Sequence, residues 1–388
     1  MVFTYNGTSG NDYYNQLTSD DVKAFGYEGN DFIWTGSGND SIYGDSGEDT
    51  LKGWSGNDII SGGSDDDYMD GGAGIDTVDY TYWNGGGTYN LATGVASFPG
   101  FYNEDILNFE NIITGSGNDN VIGSEANNTI ITGAGNDTVS GGGGDDYMDG
   151  GAGIDTVDYT YWNGGGTYNL ATGVASFPGF YNEDILNFEN IITGSGNDNV
   201  IGSEANNTII TGAGNDTVSG GGGDDYMDGG AGIDTVDYTY WNGGGTYNLA
   251  TGVASFPGFY NEDILNFENI ITGSGNDNVI GSAANNTIIT GAGNDYIKGG
   301  SGQDVLYGGA GADTFVFDSF YEGVDIIKDF EWKEGDKIQI SKYGFGATSN
   351  SQFSYDYNNG NLSYNGSLFA TIENKPSGLS TNLDIVLV

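Results

Sequence analysis

"GSGNDSIYGDSGEDTLKGWSGNDIISGG", Gly36 to Gly63, carries an aspartate every nine residues, at Asp40, Asp49 and Asp58. Two places after each stands an aliphatic residue, Ile42, Leu51 or Ile60, and much of the rest is glycine, asparagine and serine, a turn composition. The phase extends both ways, giving Asp31, Asp40, Asp49, Asp58, Asp67 and Asp76. The residues two places on are all apolar: Ile33, Ile42, Leu51, Ile60, Met69 and Val78. Those three places on are mixed: Trp34, Tyr43, Lys52, Ser61, Asp70 and Asp79. Only the middle residue of each short segment is consistently apolar, the signature of a three-residue strand with its centre inward. Strands this short must stack, each on the segment one coil away. Two strands and two turns close a coil of eighteen residues, twice the nine-residue period. The predicted fold is all-β: a parallel β-roll, or β-solenoid, with a thin aliphatic core.

A longer repeat of 79 residues lies over the short one: Asp70 to Met148 and Asp149 to Met227 are identical, and a third copy first departs at Ala283. Each copy holds nonapeptides and one insert of different texture, the first being "YTYWNGGGTYNLATGVASFPGFYNEDILNFENIIT". Nonapeptide phase resumes at Asp119, Asn128, Asp137, Asp146 and Asp155. It recurs at Asp198, Asn207, Asp216, Asp225 and Asp234, and again at Asp277, Asn286, Asp295, Asp304 and Asp313. The expected organisation is an N-terminal cap (1–26), roll tracts at 27–79, 115–158, 194–237 and 273–313, inserts at 80–114, 159–193 and 238–272, and a β-rich C-terminal cap (314–388). In the cap, "TFVF", "VDIIKDF" and "DKIQIS" read as strands, and a hairpin turns at Asn359-Gly360. A repeat stack needs such a cap over its open edge. No stretch calls for a long helix.

Composition narrows the function. The chain has 388 residues, 72 of them glycine, and a formal charge of −47; arginine, histidine and cysteine are absent. Neither a Ser-His-Asp nor a Cys-His nucleophile can be built, nor a Cys/His zinc site. Nucleic acid is not an expected partner without a basic footprint. No secretory signal peptide and no segment of transmembrane length is evident.

Stacked coils place the repeat aspartates in columns about 5 Å apart, where bare carboxylates repel. A hard divalent cation between them turns repulsion into attraction. Calcium suits flexible, oxygen-only sites with turn carbonyls; magnesium demands tighter geometry, and soft metals want thiolate or imidazole.

The segments "GSGNDSIYG", "WSGNDIISG", "GGAGIDTVD" and "GGAGADTFV" resemble the G-G-x-G-x-D-x-U-x nonapeptide of the RTX, or haemolysin-type, calcium-binding family. The resemblance covers about Gly29 to Asp313. It implies calcium ions between turns of consecutive coils, held by carbonyls and by aspartates eighteen residues apart. The pairs are Asp31/Asp49, Asp40/Asp58, Asp49/Asp67 and Asp58/Asp76, then Asp119/Asp137, Asn128/Asp146 and Asp137/Asp155, with matching sets in the third and fourth tracts. That is about thirteen sites, which would bring the charge from −47 to about −21. Asn128, Asn207 and Asn286 depart from the pattern, because an amide carries no charge. The terminal "LDIVLV" resembles the family's type I secretion signal, and the same residues also read as a last strand of the cap.

The expectation is a secreted, extracellular or cell-surface calcium-binding protein with a structural, non-catalytic role, self-associating as a subunit of a filament, surface layer or matrix. The runner-up is a calcium-dependent adhesin or glycan-binding module that uses the insert aromatics Tyr80, Tyr82, Trp83, Tyr89, Phe98, Phe101 and Tyr102. Packing within the insert is the plainer expectation for those rings. For Glu104 and Asp105, a solvated loop or extra calcium ligands are expected ahead of a glycosidase pair.

Overall fold

The computed structural model describes residues 2–388. The chain divides into two compact units: Met1–Trp162 with Gly166–Ile192, and Asn163–Gly165 with Thr193–Val388.

In the first unit two parallel sheets enclose one layer of side chains. One sheet holds Val22–Glu28, Ser41–Ser46, Ile59–Ser64 and Thr77–Asp79; the other holds Phe32–Gly36, Thr50–Ser55 and Tyr68–Ala73. Register advances one coil of eighteen residues at a time. Ala24 opposes Ile42, Ile42 opposes Ile60 and Ile60 opposes Val78; on the other sheet Ile33 opposes Leu51 and Leu51 opposes Met69. These central residues are fully buried, so in this stretch the core is essentially one side chain per strand. Residues 2–26 begin the stack as a coil of their own, with Phe3–Asn6 on Val22–Glu28 and Tyr13–Asn15 on Phe32–Gly36.

Residues 80–114 do not leave the roll. Asn103–Leu107 lies parallel to Tyr68–Ala73, with Ile106 opposite Met69, and Asn111–Ile113 lies parallel to Thr77–Asp79, with Ile112 opposite Val78. Together they make one further coil. The remainder widens a single sheet: Val95–Ser97 pairs antiparallel with Asn103–Leu107, Thr88–Asn90 pairs antiparallel with Val95–Ser97, and Thr88–Asn90 then receives Asn120–Ser124 in parallel. The second insert repeats this on the opposite sheet, since Asn182–Leu186 stacks on Tyr147–Asp149, a strand of the Ser41–Ser46 sheet. The reason is parity: five half-coils, those of Asp119, Asn128, Asp137, Asp146 and Asp155, separate the two inserts. An odd number of half-coils delivers the next insert to the other face.

The second unit is built alike. Its insert stacks Ile264 on Met227 and Ile270 on Val236. Its C-terminal part prolongs both sheets: Thr314–Phe317 on Tyr296–Lys298, Lys337–Ile340 on Thr314–Phe317, and Ile385–Leu387 on Lys337–Ile340. The hairpin Phe353–Asp356/Asn361–Tyr364 and the strand Ser367–Ile372 extend the other sheet over Asp325–Ile327. Among the described residues the one α-helix is the four-residue Lys342–Phe345. The fold is a β-roll closed by a β-rich cap.

Candidate metal centre

Each repeat aspartate stands just before a strand, where the turn meets the stack. All twenty-one marked positions, from Asp31 to Asp313 and including Asn128, Asn207 and Asn286, are buried. The structure brings together the residues eighteen apart. The Asp31 N–H donates to Asp49 Oδ1 at 2.7 Å, Asp40 to Asp58 at 2.7 Å, Asp49 to Asp67 and Asp58 to Asp76 at 2.8 Å. The later tracts repeat this: Asp119 to Asp137, Asp137 to Asp155, Asp198 to Asp216, Asp216 to Asp234 and Asp277 to Asp295 at 2.8 Å, and Asp295 to Asp313 at 3.0 Å. One carboxylate oxygen thus caps the coil before it.

The other oxygen is the informative one. In the first tract Oδ2 of Asp31, Asp49, Asp58, Asp67 and Asp76 is buried without a hydrogen-bond partner. The same holds for Asp146, Asp155, Asp225, Asp234, Asp304 and Asp313, while Asp137, Asp216 and Asp295 each have a threonine hydroxyl nearby, from Thr132, Thr211 and Thr290. A buried anion left this way is costly unless a cation meets it. Backbone carbonyls converge on the same places: a methyl group built on Gly44 would overlap both Asp49 Oδ2 and the Gly62 carbonyl, and one on Gly53 would overlap Asp58 Oδ2. Glycine is therefore required there to leave space among acceptors. Among the described residues no three carboxylates gather to hold a metal. Each ion would take one or two carboxylates and complete its shell with turn carbonyls, a donor set that fits calcium. Burial, reinforced by neighbouring carboxylates, pushes Asp49 and Asp58 up to about 7 and Asp67 up to about 8. A bound divalent cation would hold them ionised.

Not every position is alike. Asp277 Oδ2 accepts the Thr272 hydroxyl at 2.7 Å. Asn128 Oδ1 accepts the Ser124 N–H at 2.7 Å while its Nδ2 donates to the Glu110 carbonyl at 2.6 Å; Asn286 does the same with Ser282 and Glu268. Since an N–H only donates and a carbonyl only accepts, the amide orientation is forced. The amide nitrogen supplies the positive pole to that carbonyl.

Six glutamates escape the nine-residue pattern yet occupy column positions. Glu104 stacks on Asp67, as the Asp105 N–H bonded to the Asp67 carbonyl at 3.1 Å shows, and Glu110 stacks on Asp76, whose N–H donates to Glu110 Oε2 at 2.9 Å. Glu183, Glu189, Glu262 and Glu268 repeat them. The signal was present as acid-x-aliphatic in "EDI" and "ENI", but with a spacing of six. Asp12, Asp325 and Asp336 extend the columns at the ends: the Asp12 N–H donates to Asp31, Asp304 to Asp325 and Asp313 to Asp336. Glu104 corrects the expectation of a solvated loop. It is buried, and its Oε2 accepts the Tyr80 hydroxyl at 2.5 Å, as Glu183 does from Tyr159 and Glu262 from Tyr238. Burial pushes Glu104 up to about 9 and Glu183 and Glu262 up to about 8. Asp105 faces outward, so the two are not a facing acid–base pair.

The insert aromatics mostly pack. Tyr80, Tyr89 and Phe98 are buried against each other, with ring centroids 4.9–5.8 Å apart. Trp83 sits edge-on to Phe98 and Phe101. Phe101, Phe180 and Phe259 are the most exposed, at 71–72%, and Tyr82, Tyr161 and Tyr240 are also partly exposed.

The family model for the RTX calcium-binding nonapeptide repeat (4 copies) matches residues 24–51, 43–78, 109–133, 122–157, 188–212, 201–236, 271–306 and 290–319, together more than half of the chain. No curated protein matches the chain. Among solved structures, the extracellular lipase LipA from Serratia marcescens is similar over 51% of this chain and 40% of its own, at 20% identity and a TM-score of 0.22.

Proposed function

The chain belongs to the family of RTX calcium-binding nonapeptide-repeat proteins, and from that premise we propose that it is a secreted, non-catalytic structural protein whose inserts join copies of itself into a filament, layer or matrix. The observation that carries the reading is the exposure of Phe101, Phe180 and Phe259. Each tips a turn of a near-identical insert, so the same exposed ring recurs at the same place in all three copies, which isolated exposed rings such as Tyr321 and Tyr343 do not. Weak identical contacts repeated along one chain gain strength through multivalency. Heterologous contacts of that kind build open polymers rather than closed rings. Millimolar calcium outside the cell suits low-affinity oxygen sites. Export by a type I route is part of this reading and is supported by the family. Residues Leu383 to Val388 serve it as signal while Ile385–Leu387 also closes the stack against Lys337–Ile340. Secretion of a chain lacking 383–388 at the parent's level would remove the signal role.

Sedimentation and electron microscopy of the calcium-loaded protein test assembly. The parent should form ordered polymers, and the F101S/F180S/F259S variant should stay monomeric with an unchanged β spectrum. Monomers from the parent, or undiminished polymers from the variant, would end the proposal. A second reading, adhesion to surface glycans, is favoured by a recess of about 560 Å³ on the first unit, walled by Trp162 and Tyr181.

A further inference from the structure

The recess lies on the outer face of one sheet of the first unit. Its floor is made by outward residues of adjacent strands: Asn120 from Asn120–Ser124, Thr138 and Ser140 from Thr138–Gly142, and Asp158 from Thr156–Asp158. Trp162 and Tyr181 of the second insert form a wall, with ring centroids 6.0 Å apart at 61°. Among the described residues the side chains of Asn120, Thr138 and Ser140 meet no hydrogen-bond partner and so can meet a ligand.

We infer that this recess binds a neutral saccharide of two or three sugar units, and the inference rests on the adhesion reading. Four properties of the lining lead there. Its volume suits a small ligand. The aromatic wall offers flat apolar faces to the C–H face of a pyranose ring. The floor presents hydroxyl and amide groups that both donate and accept, so it selects a ligand that does both; an ammonium ligand would need acceptors only. Adjacent strands place Asn120 and Thr138 about 4.8 Å apart, a step that suits alternate hydroxyls on one ring, and Ser140 lies two residues along the strand from Thr138. No lysine lines the recess, while Asp158 and Glu125 do, so sulfated sugars and uronates are repelled.

The test uses the full chain in millimolar calcium. The probes are cellotriose, xylotriose, mannotriose and triacetylchitotriose, with trigalacturonate as the anionic contrast. Binding is read by tryptophan fluorescence and saturation-transfer NMR. Because the sequence repeats the floor at Thr217 and Ser219, the variant is T138V/S140A/T217V/S219A. Its changes are on outward side chains, and an unchanged β spectrum checks its folding. At least one neutral trisaccharide should bind the parent, and the variant should bind it at least tenfold more weakly. W162A/W241A should lose binding as well. No response from any neutral probe up to 10-fold above the millimolar range, equal binding of trigalacturonate, or full binding by the floor variant would each overturn the inference. Retention on insoluble polysaccharide separates the two claims. A floor variant retained like the parent refutes the groove and leaves adhesion standing, a parent that binds a soluble trisaccharide but is not retained refutes adhesion alone, and a parent that does neither refutes both.

Discussion

The roll tracts and the inserts carry the same column of acids on the same stack of strands, and they neutralise it differently. In the first tract Asp49, Asp58 and Asp67 each present a buried oxygen with no partner. One coil further on, Glu104 extends by one methylene and meets the Tyr80 hydroxyl at 2.5 Å. The tract leaves its charge to a cation, while the insert answers part of it with its own side chain. Cohesion differs too. The tract core is one aliphatic residue per strand, whereas the insert adds Tyr80, Tyr89, Trp83 and Phe98 in mutual contact. A repeat stack can therefore be metal-dependent in one stretch and partly self-supporting in the next.

The largest expected effect comes from removing calcium. Binding free energy here is folding free energy, because no column exists in the unfolded chain. In excess chelator at pH 8 the β spectrum should collapse, and millimolar calcium but not magnesium should restore it. Circular dichroism across a calcium titration measures this. A full β spectrum in chelator would erase the distinction between tract and insert.

Acid should partly replace the metal. The folded, metal-free carboxyls of Asp49 and Asp58 titrate near 7 and that of Asp67 near 8, above the unfolded value of about 3.9. A carboxyl raised on folding binds its proton more tightly in the folded state. Its contribution is fully present below the unfolded value and is lost as pH rises through the folded one. In chelator, structure should therefore appear on acidification from pH 8 to pH 5.5. With calcium present the sign reverses for affinity, since protons compete for the same oxygens below about pH 7. Denaturation in chelator at both pH values decides it; greater stability at pH 8 would contradict the burial argument.

Single substitutions sharpen the contrast. Gly44→Ala drives a methyl group into Asp49 Oδ2 and the Gly62 carbonyl and should destabilise the calcium-loaded protein by about 1–3 kcal/mol. Gly100→Ala, at φ +84° with open space around it, should cost about 1 kcal/mol by backbone strain alone. Tyr80→Phe leaves Glu104 buried with neither oxygen paired, for about 1–3 kcal/mol, and calcium stoichiometry should not change. Denaturant midpoints with calcium-titration calorimetry separate the three.

The nine-residue phase made the coil, the inward residues and the aspartate columns legible, because partners there sit at a fixed separation of eighteen. Asp49 and Asp67 could be paired by counting. Asp67 and Glu104 are 37 residues apart and Asp76 and Glu110 are 34 apart, since a two-strand excursion intervenes. The shortened spacing and the change from Asp to Glu together hid those positions. The alternation of inserts between sheets follows from the parity of the half-coils, but only once residues 103–113 are recognised as a coil. The recess is less legible still: its floor comes from three strands and its wall from an insert on the opposite sheet, with no motif in common.

The asparagines supply the smallest effect and the finest test. In the tract a cation is needed because two acceptors face one gap. At Asn128 the amide nitrogen already donates to the Glu110 carbonyl at 2.6 Å, and at Asn286 to that of Glu268. Position 128 therefore goes further than the insert, where one oxygen of Glu104 still lacks a partner, because both ends of its amide are satisfied within the protein. Asn→Asp at 128, 207 and 286 would turn that donor into a second acceptor beside the carbonyl. Two contributions then oppose each other. The lost hydrogen bond costs about 1 kcal/mol per site, and each new carboxylate builds a place for one more calcium ion. The triple variant should bind up to three more calcium ions than the parent. Its stability should fall slightly at calcium levels that just fold the parent and match the parent at ten times that level, roughly the offset expected from mass action on the added sites. Isothermal titration with equilibrium dialysis counts the ions. An unchanged count would mean that the asparagine positions lack the surrounding carbonyls a cation needs, and that the difference between Asp and Asn along the column is more than one of charge.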